Sequence, residues 1–570
     1  MSGLVERSLR NKLASRRKTI AAVLVSVLVG GWLITSAIGE DSEGNFRSGG
    51  IFRIFRDDDG WVQSLPNFSS LNGSNIDGTN TFFKTSFGTN GQSCATCHQP
   101  RDGFTIHVSC GPDLPNCLSI NSAFDATHGL DPLFRPNDTA NRPDADVSTE
   151  DARRNAYSLT LALGVTRIGE VLPLPSPAGT AEFAVAPQNT DQFGPLPNSN
   201  DPQHPGVQTL SLFRRPLVPN MRFDSAVLWD GRASITNIRG QVTGAAKTLL
   251  LNPNPAPADA DDVANFMLGV LTDQVIDDRA SFPPSHAGST SAEDARSGTR
   301  NMRRTAFSAT APCLFDATGA RTHTVTPLVT YYPADGPGTL TPSTCRPVVQ
   351  GGPNMTDFRP WLEFQEVAHL SDRTFSRASI ARGEEIFNRA VLHVPSDVVI
   401  PGLQGNTAHC TTCHATNNIG NHPDASFFVR IGSDSVTILQ ELADAHPEEP
   451  SLEDFVTRTK MLPQYCLRSV AAGAPTLDQV ACGHYEGDSN NGIPGDVITS
   501  DPGRAMISGK WADIGRFKPP TLRGLAPRSP YFHGSAADST VGIVDFYNAR
   551  FNIGLSEQQK EDLVRFLEAH

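Results

Sequence analysis

Two short stretches of this sequence each hold two cysteines that are separated by two residues and followed directly by a histidine. They read SCATCHQP (93–100) and HCTTCHAT (409–416). With 10 Cys and 15 His among 570 residues, chance would produce such a run only about 0.005 times in the chain. The repeated motif therefore constrains the fold more than any other feature, because each copy must sit in a structure that serves the same chemistry.

A Cys-x-x-Cys-His run is typical of covalent haem attachment, in which each thiol adds to a vinyl group and the histidine binds the iron as an axial ligand. The alternative is one zinc ion bound by all four sulfurs. Zinc would leave both histidines without a role, and zinc-binding pairs usually lie much closer than the 316 residues that separate these two. The motifs predict two covalently attached haem c groups, bound through Cys94, Cys97 and His98 and through Cys410, Cys413 and His414.

The N-terminus predicts export. Residues 1–18 carry six Lys or Arg against Glu6, and residues 19–39 are 21 uncharged, mostly apolar residues, which is long enough to cross a bilayer. Because basic flanks stay in the cytoplasm, the chain after residue 40 should lie on the periplasmic side of a bacterial inner membrane, anchored by one span. A cleaved signal peptide is the alternative, since the letters TSA before Ile38 could form a cleavage site.

The predicted export bears on the charge of the chain and on its other cysteines. The first 18 residues carry +5 of a total of −13, which leaves −18 on the rest of the chain. Such an acidic balance argues against nucleic acid binding and favours a cationic partner. In an oxidising compartment, the six other cysteines are expected to form disulfides between sequence neighbours. The expected pairs are Cys110–Cys117, Cys313–Cys345 and Cys466–Cys482.

Helices are expected on both sides of the second motif. The stretch SRASIARGEEIFNRA before it places Ile380, Gly383 and Phe387 on one helical face. The end of the chain, GLSEQQKEDLVRFLEAH, predicts a second amphipathic helix that begins with a capping box formed by Ser556 and Gln559. A helix, a haem motif and a terminal helix together are typical of a cytochrome c domain.

These features predict a mainly α fold, made of two cytochrome c-type haem domains with long irregular loops and an N-terminal membrane-spanning helix. The predicted divisions are a cytoplasmic tail 1–18, an anchor or signal sequence 19–39, a first haem domain 40–370 and a second haem domain 371–570. Stretches rich in proline, glycine and small polar residues predict loops at 173–206, 252–262 and 327–354.

Several longer stretches resemble the bacterial di-haem cytochrome c peroxidase superfamily. RFKPPTLRGLAPRSPYFHGS (516–535) is similar to the C-terminal haem domain of that family, and RRPLVPNMRFDSAVLWDGRASITNIRGQ (214–241) is similar to its segment between the two haem motifs, including the WDGR signature. With TNGQSCATCHQPRDGFTI and SIARGEEIFNRA, the likeness covers roughly half of the chain in the right order, which is far more specific than one short motif.

The resemblance implies a division of labour between the haems. The C-terminal haem, held by His414, would be six-coordinate and transfer electrons from a small donor protein of the cytochrome c or cupredoxin type. The N-terminal haem, held by His98, would keep one face open and react with hydrogen peroxide or oxygen, and Trp229 of WDGR would lie between the two. The alternatives are a non-enzymatic electron carrier with two six-coordinate irons, and a di-haem oxygenase or maturation enzyme that acts on an unknown substrate.

The resemblance also implies a sixth ligand for the second iron. Family members place a methionine or tyrosine about fourteen residues after the histidine of PYFH, which is His533 here, and Tyr547 stands at that position. A tyrosine ligand lowers the reduction potential and favours oxidised iron, as in the maturation-enzyme branch of the family. The alternatives are His533 itself, Met506 and Met461.

Around the open iron, the family places a glutamine after WDGR and a glutamate about ten residues later. Gln241 matches the first, but the second falls near Leu251, where the sequence has no acid. Because peroxide cleavage needs a group that moves a proton between its oxygens, peroxide activity is in question unless another group serves. The candidates are Asp259, Asp261, Asp262 and His107.

Three further residue roles follow from the motifs. Arg232 of WDGR is assigned to the site as a guanidinium that pairs with a haem propionate or a carboxylate. His107 and His128 are candidates to close the open face of the first iron in a resting state. Calcium, which relatives often bind between the haems, is not expected, because the corresponding positions near Arg214 and Arg528 are cationic.

Overall fold

The computed structural model describes most of the chain beyond residue 80, and its description has gaps. Besides a few single residues, the described ranges are 66–70, 80–99, 103–108, 119–173, 181–188, 209–216, 226–233, 237–274, 329–333, 345–349, 372–414, 427–522 and 528–569. The expected membrane segment at 19–39 lies outside them. Within the described ranges, no helix is both long and apolar enough to span a bilayer.

Helices make up most of the regular structure in these ranges. Three short 3-10 turns, Thr81–Phe83, Thr85–Phe87 and Trp511–Asp513, accompany them. The α-helices are α1 Cys94–Cys97, α2 Ile120–Thr127, α3 Glu150–Ala156, α4 Ser158–Leu163, α5 Ile238–Thr248, α6 Pro257–Gly269, α7 Asp372–Arg389, α8 Cys410–Cys413, α9 Val436–Ala445, α10 Ser451–Met461, α11 Ala505–Ser508, α12 Thr540–Arg550 and α13 Glu557–Ala569.

The strands are short and form antiparallel pairs or one sheet of three, β13-β10-β3. The pairs are β1 with β5, β2 with β4, β6 with β7, β8 with β9 and β11 with β12. Their bounds are β1 Pro66–Ser70, β2 Thr166–Val171, β3 Phe183–Pro187, β4 Thr209–Arg214, β5 Val270–Gln274, β6 Val329–Pro333, β7 Cys345–Val349, β8 Leu392–His393, β9 Thr407–Ala408, β10 Tyr465–Ser469, β11 Gly487–Asp488, β12 Ile493–Pro494 and β13 Val497–Thr499.

Helices α7 and α13 confirm the two helices expected around the second motif. Ile380 and Phe387 on α7 are buried, and the Phe387 ring lies 5.3 Å from that of Phe566 on α13. Burial of each such side chain contributes about 1.5–3 kcal/mol. The capping box forms as expected, since Ser556 N–H donates to Gln559 Oε1 at 2.9 Å and Gln559 N–H donates to Ser556 Oγ at 3.4 Å.

The core around the first motif is aromatic. Phe82, Phe104 and Phe266 pack with ring centroids 4.7–6.1 Å apart, and Cys94 contacts the same cluster. Phe266 belongs to α6, which overturns the second half, 257–262, of the loop expected at 252–262. The helix begins at Pro257, because a proline at the first helical position gives up no hydrogen bond and has the required φ.

The two expected haem domains share secondary structure. Strand β3, which precedes residue 370, pairs with β10 along its whole length, from Phe183 opposite Ser469 to Pro187 opposite Tyr465. The hydrophobic core of the second half also includes Phe358 and Trp361, which lie ahead of the expected boundary. Contacts across the expected boundary therefore bring the segments of the first half close to the second motif.

One expected disulfide is confirmed, between Cys466 and Cys482. It closes a loop of 16 residues that begins on β10. Cys110, Cys117 and Cys313 lie outside the described residues, as does the side chain of Cys345, so their pairing stays a prediction.

Candidate functional site

The two cysteine motifs fold into the same local structure. Each forms a single helical turn, α1 or α8, whose N-cap residue donates its backbone N–H to the threonine hydroxyl three residues later. Ser93 donates to Thr96 Oγ1 at 2.9 Å, and His409 donates to Thr412 Oγ1 at 3.0 Å. The histidine that ends each turn donates its N–H to the carbonyl of the first cysteine at 3.0 Å in both copies. Each motif thus presents two cysteines on one turn with a histidine beside them.

The four motif cysteines are free thiols and do not converge. Among the described residues, which include all four, the one group of His, Cys, Asp and Glu atoms close enough to share a metal ion is Cys466, Cys482 and Asp496. Its two cysteines form the disulfide. Because four sulfurs would have to meet around zinc, this arrangement argues against the zinc alternative and leaves covalent haem as the expectation.

The second motif opens onto a large cavity. Its empty volume, which includes space open to solvent at the mouth, is about 1470 Å³. Cys410, Cys413 and His414 line it together with an extensive apolar wall that includes Ile400 and Leu563. Lys518 and Arg528 are the kind of cationic side chains that could pair with the propionates of a haem, and both line the same cavity. Thiols, imidazole, apolar walls and cations are the set that haem c requires.

His414 is buried and His98 is half-buried, and the surroundings of both favour the neutral ring. Burial lowers the pKa of His98 and of His414 to about 4. Backbone carbonyls act in the opposite direction, Phe104 for His98 and Pro520 for His414, because an acceptor beside the ring favours the proton. Nδ1 of His98 lies 3.3 Å from the Phe104 oxygen. A ring that donates from Nδ1 keeps the Nε2 lone pair for a metal.

The segment that carries Trp229 contacts the surroundings of both motifs. It lines the cavity of the second motif, and its Nε1–H donates to the Arg215 carbonyl at 2.9 Å. Two residues earlier in the chain, Val227 packs into the aromatic cluster that contacts Cys94. Arg215 N–H in turn donates to the His533 carbonyl at 2.7 Å, and the Trp229 and His533 rings are 6.2 Å apart.

Tyr547 and His533 both line the second cavity, whereas the two methionines considered as ligands do not. Met506 packs in the core formed around Tyr465, and Met461 packs beside Leu462. Their positions argue against either methionine as the sixth ligand of the second iron. The expectation for the sixth ligand thus narrows to Tyr547 or His533.

Around the first motif, Gln241 lies on α5, half-buried. Its neighbours Ile238 and Val242 pack into the cluster that contacts Cys94, so α5 runs along the first motif. His128 lies on the surface, where its ring pairs with Glu150 at 2.8 Å with two thirds of the side chain exposed. That position argues against its role as a gate.

Three acids follow the position of the expected glutamate, and each of them bonds to residues other than those of the first motif. Asp262 accepts from Asn80 Nδ2 at 2.7 Å and from Thr81 N–H at 2.8 Å. Asp259 lies within 3.4 Å of the Thr81 hydroxyl, and Asp261 pairs with Arg239 at 3.0 Å. These contacts join the start of α6 to its neighbours and do not place an acid beside His98.

Arg232 pairs with carboxylates, as its assignment allowed. It forms ion pairs with Asp230 and Glu170. Arg214 joins the same network and is 2% exposed. It bonds Asp230 Oδ2 at 2.6 Å and binds both oxygens of Asp501 at 2.7 and 2.9 Å.

The network holds one of its acids, Asp230, in the ionised state. Burial alone would raise the pKa of Asp230, but the charges and hydrogen bonds of Arg214 and Arg232 outweigh burial. They hold this pKa well below its usual range. Arg214 therefore serves as a buried cation that joins the segment before WDGR to Asp501 in the second half. The neighbouring Arg215 guanidinium donates to four backbone carbonyls, those of Ile106, Gly164, Arg528 and Ser529.

Two curated proteins are similar to short parts of the chain. Cytochrome-c peroxidase IdrP2 of Denitromonas iodatirespirans is 35% identical over 94 residues, or 15% of this chain and 25% of that protein. Cytochrome-c peroxidase IdrP1 of the same organism is 37% identical over 68 residues, or 10% of this chain and 18% of that protein. The chain thus spans at most about a quarter of these relatives, and neither a family model nor a solved structure matches it. It is loosely related to cytochrome c peroxidases.

Proposed function

We propose that this chain is an exported di-haem c oxidoreductase of the cytochrome c peroxidase type. The observation that carries the proposal is the cavity beside α8, where two free thiols, a neutral histidine and apolar walls meet in one place. The matching turn α1 supports a second haem at the first motif. The likeness of short segments to cytochrome-c peroxidases supports the reaction class.

Bound haem would supply iron for one-electron transfer and for reaction with peroxide or oxygen. The chain's own residues would orient and connect the two centres. His98 and His414 would each present Nε2 as the axial nitrogen, and Trp229 would bridge the space between the centres. Reduction of one hydrogen peroxide to two waters consumes two electrons and two protons, with the electrons supplied by a partner protein.

A small cationic redox protein of the cytochrome c or cupredoxin type fits as the electron donor. The support is the charge of −18 on the chain beyond residue 18, which favours association with a basic surface. The Cys466–Cys482 disulfide supports an oxidising compartment. We therefore place the protein on the periplasmic side of a bacterial inner membrane, anchored by residues 19–39 or released after cleavage.

The proposal predicts two covalent haems with different irons. A pyridine haemochrome assay should give two haem c per chain, and replacement of both cysteines of either motif by Ala should each remove one. The electron paramagnetic resonance spectrum of the ferric protein should show one high-spin iron, assigned to the first motif because the Cys94→Ala/Cys97→Ala variant loses it.

Two results would contradict the proposal. Purified protein that contains zinc and no haem would exclude it altogether. A ferric spectrum in which both irons are low-spin, and stay so when peroxide is added, would favour the electron carrier. The Cys466→Ala/Cys482→Ala variant is a matched control, since it removes two cysteines without touching either motif.

A further inference from the structure

Asp138 is a buried acid with an incomplete set of partners. It is 2% exposed, and its Oδ2 accepts a hydrogen bond from Gln92 Nε2 at 2.9 Å. Its other oxygen, Oδ1, has no hydrogen-bond partner among the residues that the structure describes. A buried carboxyl oxygen without a partner is costly and uncommon unless a ligand, a water molecule or a function accounts for it.

Asp138 lies next to the first motif. Gln92, which holds Oδ2, stands two residues before Cys94 and is itself 1% exposed. The charge of Asp138 is near enough to Cys97 to raise the pKa of that thiol, after the larger effect of burial. The Asp138 carboxyl therefore lies close to the cysteine turn at which the first haem would be attached.

The same acid lies beside the end of α5. Asn137 Nδ2 donates to the Leu249 carbonyl at 2.8 Å, and Asn90 Nδ2 donates to the same oxygen at 2.9 Å. Leu251, where the family resemblance leads one to expect a glutamate, follows two residues later, and its carbonyl accepts from the Thr89 hydroxyl at 2.6 Å. The segment that carries Asp138 thus contacts the end of α5, just before the position where the acid is absent.

Other charged groups around Asp138 leave it able to exchange a proton. Burial raises the pKa of Asp138 to about 7, although Gln92, Arg167, Arg135 and the backbone N–H of Thr139 act in the opposite direction. Arg167 donates to the carbonyls of Pro136 and Asn137 at 3.1 and 2.6 Å. Tyr157 stays neutral, because burial raises its pKa to about 12, and Asp131 accepts from the Leu133 N–H.

We propose that Asp138 is the proton-transfer acid beside the first motif and does the work of the glutamate that is absent near Leu251. The inference rests on the proposed function. The Asp138 carboxylate would accept a proton from one oxygen of hydrogen peroxide and return it to the other, so that the O–O bond breaks and that oxygen leaves as water. Two electrons from the donor protein and two further protons complete the reduction to two waters.

Asp138→Asn tests the proposal, because the amide oxygen still accepts from Gln92 and only the exchangeable proton is lost. In the wild-type holoprotein, the midpoint potential of the first haem should fall as pH rises through about 7, since a nearby carboxylate favours ferric iron. The peroxide rate should rise over the same range. The variant should lose both inflections and slow by 10²–10⁴-fold, the usual effect of a proton shuttle. Asp138→Glu should keep the inflection in the potential.

Asp144→Asn is the control, since this acid lies on the same segment but pairs with Arg142 at the surface. An Asp138→Asn variant with two haems and an unchanged rate would overturn the inference and leave the proposed function intact. A wild-type protein that does not turn over peroxide would contradict the proposed function. The pH dependence of the first haem's midpoint potential would then still test whether Asp138 titrates beside that haem. No inflection near pH 7 in wild type, or one that persists in Asp138→Asn, would overturn the role of Asp138.

Discussion

Two side chains in the second cavity could bind an iron, and their surroundings differ. Tyr547 stacks on Phe532 and Phe551 with ring centroids 6.3 and 5.7 Å apart, and burial raises the pKa of its phenol above the usual range. A ferric ion would have to displace that proton, as bound cations do. His533 stacks on Phe517 at 3.8 Å, and its Nε2 has no hydrogen-bond partner among the described residues.

Replacement of Tyr547 by Phe separates these two candidates. The change removes one oxygen and keeps the ring between Phe532 and Phe551, so haem content should stay at two per chain. If the oxygen is a ligand, the potential of the second haem should rise, on the order of 0.1 V within the ~0.8 V range that axial ligands set. Potentiometric titration and the visible spectrum measure both effects.

The matched control is Tyr465→Phe, which also removes one buried hydroxyl. That hydroxyl donates to the Ser211 carbonyl at 2.7 Å and does not line the cavity. It should change stability but not the spectrum. A Tyr547→Phe protein with the wild-type spectrum and potential would return Tyr547 to a packing role and leave His533 as the ligand.

Sequence alone could specify only part of this residue-level arrangement. The motif histidines were predictable, because the spacing Cys-x-x-Cys-His fixes both tethers and the ligand within one helical turn. A place for Trp229 between the haems was implied only by the family resemblance, and its approach to the His533 ring was not predicted. No sequence pattern indicated Asp138 as a site residue, because its position depends on contacts of its segment with Gln92 and with the end of α5. Both lie far from it in the chain.

At the scale of elements, helices α7 and α13 cross at Gly383, where α7 has no side chain. A Cβ added at Gly383 would meet the Asp562 carbonyl oxygen, and it would lie 2.6 Å from Phe566 Cβ. Asp562 also bonds the next turn of α7, since Ser379 Oγ and Arg382 Nη2 each donate to its Oδ1 at 2.6 Å. Backbone contact at this crossing holds the terminal helix against the helix that precedes the second motif.

Gly383→Ala should therefore destabilise the protein. Overpacking of a close crossing costs about 1–3 kcal/mol, which exceeds the ~1 kcal/mol that alanine gains over glycine in a helix. Gly244→Ala on α5 is the matched control, because nothing lies within 4 Å of the added Cβ. That change should stabilise by about 0.5–1 kcal/mol. Guanidinium unfolding measures both, and a Gly383→Ala protein as stable as wild type would mean that the two helices can separate freely.

The elements that were predictable from the sequence are those with a periodic apolar face or a recognisable capping motif. Helix α7 shows its apolar face, and α13 adds the capping box of Ser556 and Gln559. Helix α6 was missed because its first turn is rich in proline and aspartate, which are typical of loops and equally of helix N-termini. The Cys466–Cys482 pair was predictable from its short spacing in an exported chain.

At the scale of the whole molecule, the two expected domains are joined through polar and β-sheet contacts that the sequence did not predict. Strand β3 pairs with β10, and Arg214 binds Asp501 across 287 residues of sequence. Pairings over such distances depend on the complete fold, and no local period or spacing indicates them. Segments on the two sides of the boundary expected near residue 370 therefore pack and bond against each other.

Arg214→Met tests how strongly this ionic network holds the two halves together. The change keeps an apolar stem of similar length but leaves Asp501 and Asp230 buried without their shared cation. Loss of one partner from a buried pair costs about 3–5 kcal/mol, so the free energy of unfolding at pH 7 should fall by that amount. Arg142→Met, which breaks the exposed pair with Asp144, should cost less than about 1 kcal/mol.

The pH dependence of this loss distinguishes charge from packing. In wild type, the pKa of Asp230 is held below its usual value of 3.8, so its contribution to stability is present above that pH and is lost as pH falls through the lowered pKa. In Arg214→Met, by contrast, the deficit should shrink as pH falls from 7 toward 4, because protonation relieves buried carboxylates that lack a cation. Unfolding curves at several pH values measure the difference. A deficit that stays constant with pH would show that Arg214 acts through packing alone, and that the two halves are held together by β3 and β10 rather than by charge.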